Sequence, residues 1–218
     1  VNRDELGERD LYPSQTWATL GTGVSYAEHG VYWYGDPKPS AYPLYWQLAA
    51  AAGKKVGVVG TLHSSPFDEQ CADPNVVFAI PDCFAVEPDT RPDKYRRLLE
   101  LNLHMTRANG RTSGGRPRAT DALTMAVSPR LGVRPTTLAW LARLMADVAA
   151  GKVSRERLRC ALLALFADMF RRLYKEHDPD LAIVFTNHVA SNMHRYWFAT
   201  FREDWDLAHY DDAWVGRY

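Results

Sequence analysis

Three short, almost uninterrupted apolar runs limit this chain more than any other feature: VGVVGT at 56–61, VVFAI at 76–80 and LAIVFT at 181–186. Each is too short for a buried helix and rich in β-branched residues, so each reads as a strand. A strand with apolar side chains at consecutive positions needs cover on both faces, as in a parallel sheet. Parallel strands require long crossovers, and the stretch between the second and third runs reads as mostly helical. YPLYWQLAAAAG, ended by Gly53, feeds the first strand, Pro81 ends the second, and the turn signal DPD at 178–180 introduces the third. The expected fold is α/β, a mainly parallel sheet sandwiched by helices in one domain over 1–218, with a helical insertion around 91–175.

Within the insertion, Leu98, Leu99, Leu101 and Leu103 mark a helix over 91–107. Thr136 or Thr137 can cap a second helix reaching about Ala150, with Gly151 beyond it. Ser154 opens the clearest helix, in which Leu158, Leu162, Leu165, Met169 and Leu173 recur at three- and four-residue steps as a core stripe. Between them, NGRTSGGRPR at 109–118 has the composition to bind a phosphate, although turn chemistry alone explains it as a solvated hinge.

Charge and cysteine usage narrow the partners. Lys plus Arg and Asp plus Glu both total 26, so no global field draws the chain to a nucleic acid polymer or an anionic membrane. The longest apolar stretch, LRCALLALFADMF, is broken by charge and falls short of the ~20 residues that span a bilayer. Cys71, Cys83 and Cys160 fit neither a disulfide framework nor a paired-cysteine metal site, which favours a reducing, cytoplasmic setting.

Two stretches have the residues for chemistry. In LYPSQTWATLGTGVSYAEHG, 11–30, Pro13 and Ser14 read as a helix start, with Ser14 as N-cap and Gln15, Thr16 and Trp17 in the first turn. Free backbone N–H groups and the positive end of the helix dipole lower the cost of an anion there, which suits Thr16 as a nucleophile toward a phosphoryl or sulfuryl group. The alternative is that these hydroxyls only cap and pack. In TNHVASNMHRYW, 186–197, Asn187, His188 and His194 follow the third strand, where α/β proteins bind ligands, and offer donors suited to zinc or a similar ion. Six residues between the histidines is not one helical face, so joint ligation needs a bend; the pair can instead be structural. Trp17, Trp33 and His63 are candidate substrate contacts. Trp33 and Tyr34 can stack on a base or sugar, with core packing as the alternative. Near the terminus, His209, Asp211 and Asp212 read as a solvated turn.

Together these stretches resemble the type I phosphodiesterase/nucleotide pyrophosphatase branch of the alkaline phosphatase superfamily. Pro13, Ser14, Thr16, Trp17, Thr22, Gly23, His29 and Gly30 match its nucleophile segment, and FTNHVASNMHRYW is similar to its later strand-end motif. The helix followed by VGVVGT is similar as well, so the resemblance covers roughly 10–80 and 178–200. It implies an alkaline phosphatase-like fold and a metal-dependent phosphohydrolase of phosphodiesterase or pyrophosphatase type. It further implies Thr16 as nucleophile and metal ligand, His194 as a ligand, and two divalent cations, zinc or alternatively manganese. The implied substrate is a phosphate ester or nucleotide-like small molecule.

The departures are specific. Asn187 stands where that family has an aspartate, so His188 would substitute as a ligand or the site would be weakened. The family's first metal-binding aspartate belongs to a strand upstream of Leu11, and its Asp-His pair and last histidine belong beyond Tyr218. Asp4 and Asp10 are poor stand-ins, since neither follows an apolar strand. Relative to the family the chain is then incomplete at both ends, or a partner chain completes the site. A non-catalytic binding or assembly protein with a degenerate metal site is the alternative. A sulfatase is disfavoured because none of the three cysteines lies in the nucleophile stretch.

Overall fold

The computed structural model describes residues 12–34, 36, 41–107, 128–190, 192, 193, 197, 201 and 203. The 109–118 hinge, His194 and the terminal turn at 209–212 lie outside them. The three apolar runs become β1 (Val56–Thr61), β2 (Val76–Pro81) and β3 (Leu181–Val184). They form one parallel sheet in the order β2-β1-β3, with Val56 paired to Val76 on one side and to Leu181 on the other. The α/β reading of the sequence is therefore correct at this level.

Helices cover the sheet as the continuous apolar runs require. On one face Val56 and Val58 pack against Leu44 and against Trp46 and Ala50 of α3 (Tyr45–Ala51), with Phe67 of the short α4 (Phe67–Gln70) alongside. On the other, Val59, Phe78 and Ile80 meet Leu98 of α5 (Arg96–Arg107). Met169 and Leu173 of a long helix, Arg159–His177, complete that face. Burying each such side chain contributes about 1.5–3 kcal/mol, which makes these two layers the main source of stability. A register shift after Val56 lets Val77 and Phe78 both lean toward the α5 side. Phe78 then lies across Gly57, where an added Cβ would collide with the ring.

Cover is uneven at β3. Leu181, Ala182 and Ile183 are half-buried and Val184 is 53 % exposed. The expectation of two covered faces thus holds for β1 and β2 but not for this edge strand. The strand is also shorter than the LAIVFT run, because Phe185 makes one further backbone bond, to Val59, and the chain then leaves the sheet.

The insertion is helical where it is described. Leu98, Leu99, Leu101 and Leu103 are all buried. The second helix, α6 (Pro135–Ala149), has Arg134 as its N-cap, not Thr136 or Thr137. Pro135 fixes the first turn, and capping comes from a distance: the buried Asp168 accepts from the Arg134 backbone N–H at 2.9 Å and its Nε at 2.5 Å. Thr137 adds a side-chain hydrogen bond to the same carboxylate. The next helix begins one 3₁₀ turn later than Ser154 suggests and is numbered α7, Arg159–His177. In its stripe Leu165, Met169 and Leu173 are fully buried, whereas Leu158 and Leu162 are half-covered.

Candidate functional site

The residues that follow β1 and β3 contact α1 (Pro13–Thr22) at the carboxyl ends of those parallel strands, the side on which α/β proteins build crevices. α1 begins two residues earlier than its hydroxyl pattern suggests. Tyr12 is the N-cap and Pro13 occupies the first helical position. Ser14 therefore lies inside the helix and caps nothing; its hydroxyl donates instead to the Tyr32 carbonyl. Gln15 takes the capping role in part, its Oε1 accepting from the Tyr12 N–H at 3.1 Å. Thr16 follows in the first turn with its side chain exposed.

Two contacts fix that turn to the sheet. His63, just past β1, lies 3.0 Å through Nε2 from the Ser14 carbonyl oxygen. A carbonyl cannot donate, so Nε2 carries the proton and Nδ1 carries the lone pair. Trp17 sets its ring edge-on to Phe185, at 4.8 Å between centroids, where the chain leaves β3. The approach of β3 depends on Gly60: its φ is +74°, and a Cβ there would strike the Phe185 carbonyl oxygen.

The loop behind α1 is held by a second histidine. His29, in the short α2 (Tyr26–His29), accepts from the Val31 N–H on Nδ1 at 3.0 Å, so its Nε2–H faces the Thr19 hydroxyl at 3.0 Å. His29 is 2 % exposed and pins α2 to α1. The histidine of the His29–Gly30 pair thus has a structural role here.

Aromatic rings line the front. Trp33 is 51 % exposed and edge-on to Tyr12 at 4.7 Å and to Tyr32 at 4.9 Å, so of the two alternatives for this residue it is not core packing. Tyr34 stacks on Phe84 at 4.4 Å and on the His63 ring at 5.9 Å. Burial, then the nearby charges of Tyr12, Asp82 and Cys83, push the Tyr34 phenol up to about 12, so it stays protonated and neutral. Asp82 follows β2 directly and is 5 % exposed. Burial pushes its carboxyl up to about 7, against hydrogen bonds from the Phe84 N–H at 2.6 Å and its own backbone. Burial likewise lowers the His63 pKa, so the ring stays neutral, with the Ser14 bond acting against the shift.

At the end of β3 the residues diverge. Thr186 is exposed and Asn187 half-buried. His188 donates its backbone N–H to Thr186 Oγ1 at 3.2 Å and sets Nε2 3.3 Å from Cys160 Sγ in the first turn of α7. That imidazole is turned toward the insertion helix. Among the described residues no three His, Cys, Asp or Glu side chains gather as a metal site, and His194 lies outside them.

The structure thus joins Thr16, Trp17 and His63 to one strand-end region, with Trp33 on its rim and His188 directed to α7. Asp82 and Gln15 are absent from the candidates read from the sequence. Asp82 was discoverable, as the first polar residue after a buried parallel strand; Gln15 was not, since its role depends on where α1 starts. Among the described residues no helix is long and apolar enough to cross a membrane. Comparisons with protein families, curated proteins and solved structures find no match for this chain.

Proposed function

We propose that this chain is a metal-dependent phosphohydrolase of the phosphodiesterase or pyrophosphatase type, on an alkaline phosphatase-like sheet, with Thr16 as nucleophile. One observation carries the reading: the helix turn that presents Thr16 is bonded to the end of β1 through His63 and packed on the end of β3 through Trp17. The sequence likeness of this segment to type I phosphodiesterases supports it.

In this reading Thr16 Oγ1 forms a bond to phosphorus as the bond to the leaving alkoxide breaks, and water then splits the phosphothreonine. The start of α1 favours the negative charge that builds there. Two divalent ions, zinc or manganese, would supply charge stabilisation to the attacking and leaving oxygens when bound. Thr16, Asn187, His188 and His194 are the ligands this chain offers, and a partner chain or residues outside those described complete the set. The substrate is a phosphate ester or nucleotide-like small molecule, with Trp33 and Trp17 as contacts to its non-phosphate part.

Hydrolysis of bis-p-nitrophenyl phosphate with added zinc or manganese tests the reading. Turnover in the wild type should fall by roughly three orders of magnitude in Thr16→Ala. Equal turnover by that variant sinks the nucleophile assignment. Asn187 in place of an acidic ligand motivates a second reading, a binding protein on the same fold with a degenerate metal site. Calorimetric titration with zinc separates the two: no binding at micromolar concentration favours the second.

A further inference from the structure

The exposed face of α7 carries charge that its own surroundings do not neutralise. Arg171, Arg172, Lys175 and Glu176 line a cleft of about 360 Å³ together with Gly132, just past the 3₁₀ turn Ser128–Leu131. That volume is within the range of small-molecule sites, about 300–1,000 Å³. Helical spacing brings the cations together: Lys175 lies four residues after Arg171 and three after Arg172, so it neighbours both on the helix surface. Gly132 lets the opposite wall approach, since its φ is +99° and an added Cβ would strike the Arg172 side chain.

Among the lining residues one carboxylate answers these charges. Glu176 accepts from Arg172 Nε on Oε2 at 3.4 Å and from Lys94 Nζ on Oε1 at 3.4 Å, so a fourth cation shares it. The side chains of Arg171 and Lys175 have no ion pair or hydrogen bond among the described residues, and Arg172 keeps both terminal nitrogens uncommitted. Four cations against one carboxylate leave an excess of three positive charges. The negative end of the α7 dipole offsets only about half a unit charge. On a flat helix face water disperses such an excess, whereas a concave one focuses it in the cleft.

We infer that this cleft binds a phosphate dianion, either inorganic phosphate or the phosphate of a small monoester. Phosphate offers acceptors in several directions, which matches donors from two planar guanidiniums and one rotatable ammonium. Glu176 holds Arg172 through Nε and leaves Nη1 and Nη2 for the anion. No apolar side chain is among the lining residues, so the charged group itself is what the cleft recognises. The cleft is separate from the strand-end region. Lys55, just before β1, donates from Nζ to the His177 carbonyl at the end of α7, whereas Thr16 lies beyond the carboxyl ends of β1 and β3. The inference therefore does not rest on the phosphohydrolase reading.

Amide NMR of the wild-type chain tests the site, with sodium chloride holding ionic strength constant. Inorganic phosphate or glycerol 1-phosphate should shift the Gly132, Arg172 and Lys175 resonances saturably, with half-saturation at about 1 mM. The tighter of the two identifies the source of the phosphate. Shifts no larger than chloride alone produces would mark a solvated basic face and overturn the inference. Arg171→Ala combined with Lys175→Ala changes two exposed side chains, so it should leave the fold intact and weaken binding at least about 10-fold. Unchanged affinity in that variant also overturns the inference. Thr16→Ala should keep the shifts; their loss would mean that phosphate acts from the strand-end region, which overturns it too. Persistent shifts in a Thr16→Ala chain that hydrolyses normally would refute the nucleophile and leave the cleft standing.

Discussion

Asp82 and Asp168 are both buried carboxylic acids, and their two surroundings treat them oppositely. Asp168, between α6 and α7, receives the Arg134 backbone N–H, its guanidinium and the Thr137 hydroxyl. Burial opposes its ionisation, but these donors outweigh burial and hold its pKa below the usual carboxylate value. Asp82, at the end of β2, has backbone donors only, and burial wins, raising it to about 7. The body of the protein surrounds its buried charge with donors. Near the strand ends His63 Nδ1 and Gln15 Nε2 are buried with no partner among the described residues, as Tyr95 Oη and His177 Nε2 are elsewhere in the molecule.

The largest effect is expected where the strand-end region joins the sheet. Gly60→Ala combines left-handed strain with a collision against the Phe185 backbone and should destabilise by about 4 kcal/mol. Gly57→Ala meets the Phe78 ring rather than backbone and carries no left-handed strain, so it should lose about half as much by urea denaturation. A reversed order would mean that β3 is not held close to β1 as described.

Next, Asp168→Ala should lower stability by about 3 kcal/mol, since it removes the distant cap of α6 and a buried acceptor of charged hydrogen bonds. A loss near that of an ordinary surface substitution would erase the contrast between the two acids.

The third test uses pH. A carboxyl raised from 3.8 to about 7 binds its proton more tightly in the folded state, so its contribution is full below pH 4 and declines as pH rises toward 7. Asp168 has the opposite sign: its stabilisation is present above the unfolded value of 3.8 and is lost as pH falls through its lower folded value. Asp82→Asn should therefore flatten the stability profile between pH 4 and 7, with a gain on the order of 2 kcal/mol at pH 8 and little change at pH 4. Chemical denaturation at the three pH values checks this.

The smallest effect is at the partly exposed rim. Trp17→Ala should cost about 1 kcal/mol, the scale of one edge-to-face contact with Phe185 plus partial burial. A larger thermal shift would assign Trp17 to the core instead.

Much of the sheet was legible because consecutive apolar residues have only one stable environment. Helix starts were less so. Ser14, Thr136 and Thr137 are the right residue types for caps, but proline at the first position moved both starts at least two residues upstream, to Tyr12 and Arg134. The candidate site was legible in its parts, Thr16, Trp17, His63 and Trp33, since polar and aromatic residues beside strand ends are conspicuous. Its partnerships were not: His188 contacts Cys160, 28 positions away, and His63 contacts Ser14, 49 positions away.

Local pattern by itself determined the strands, their parallel sense and the buried faces of α5 and α7, because hydrophobic periodicity acts within a few residues. Only the tertiary structure decided which acid is held charged, which histidine nitrogen is left bare and which carbonyl passes Gly60. Those outcomes depend on donors brought together from distant parts of the chain, and hydrogen bonding, unlike burial, is settled one partner at a time.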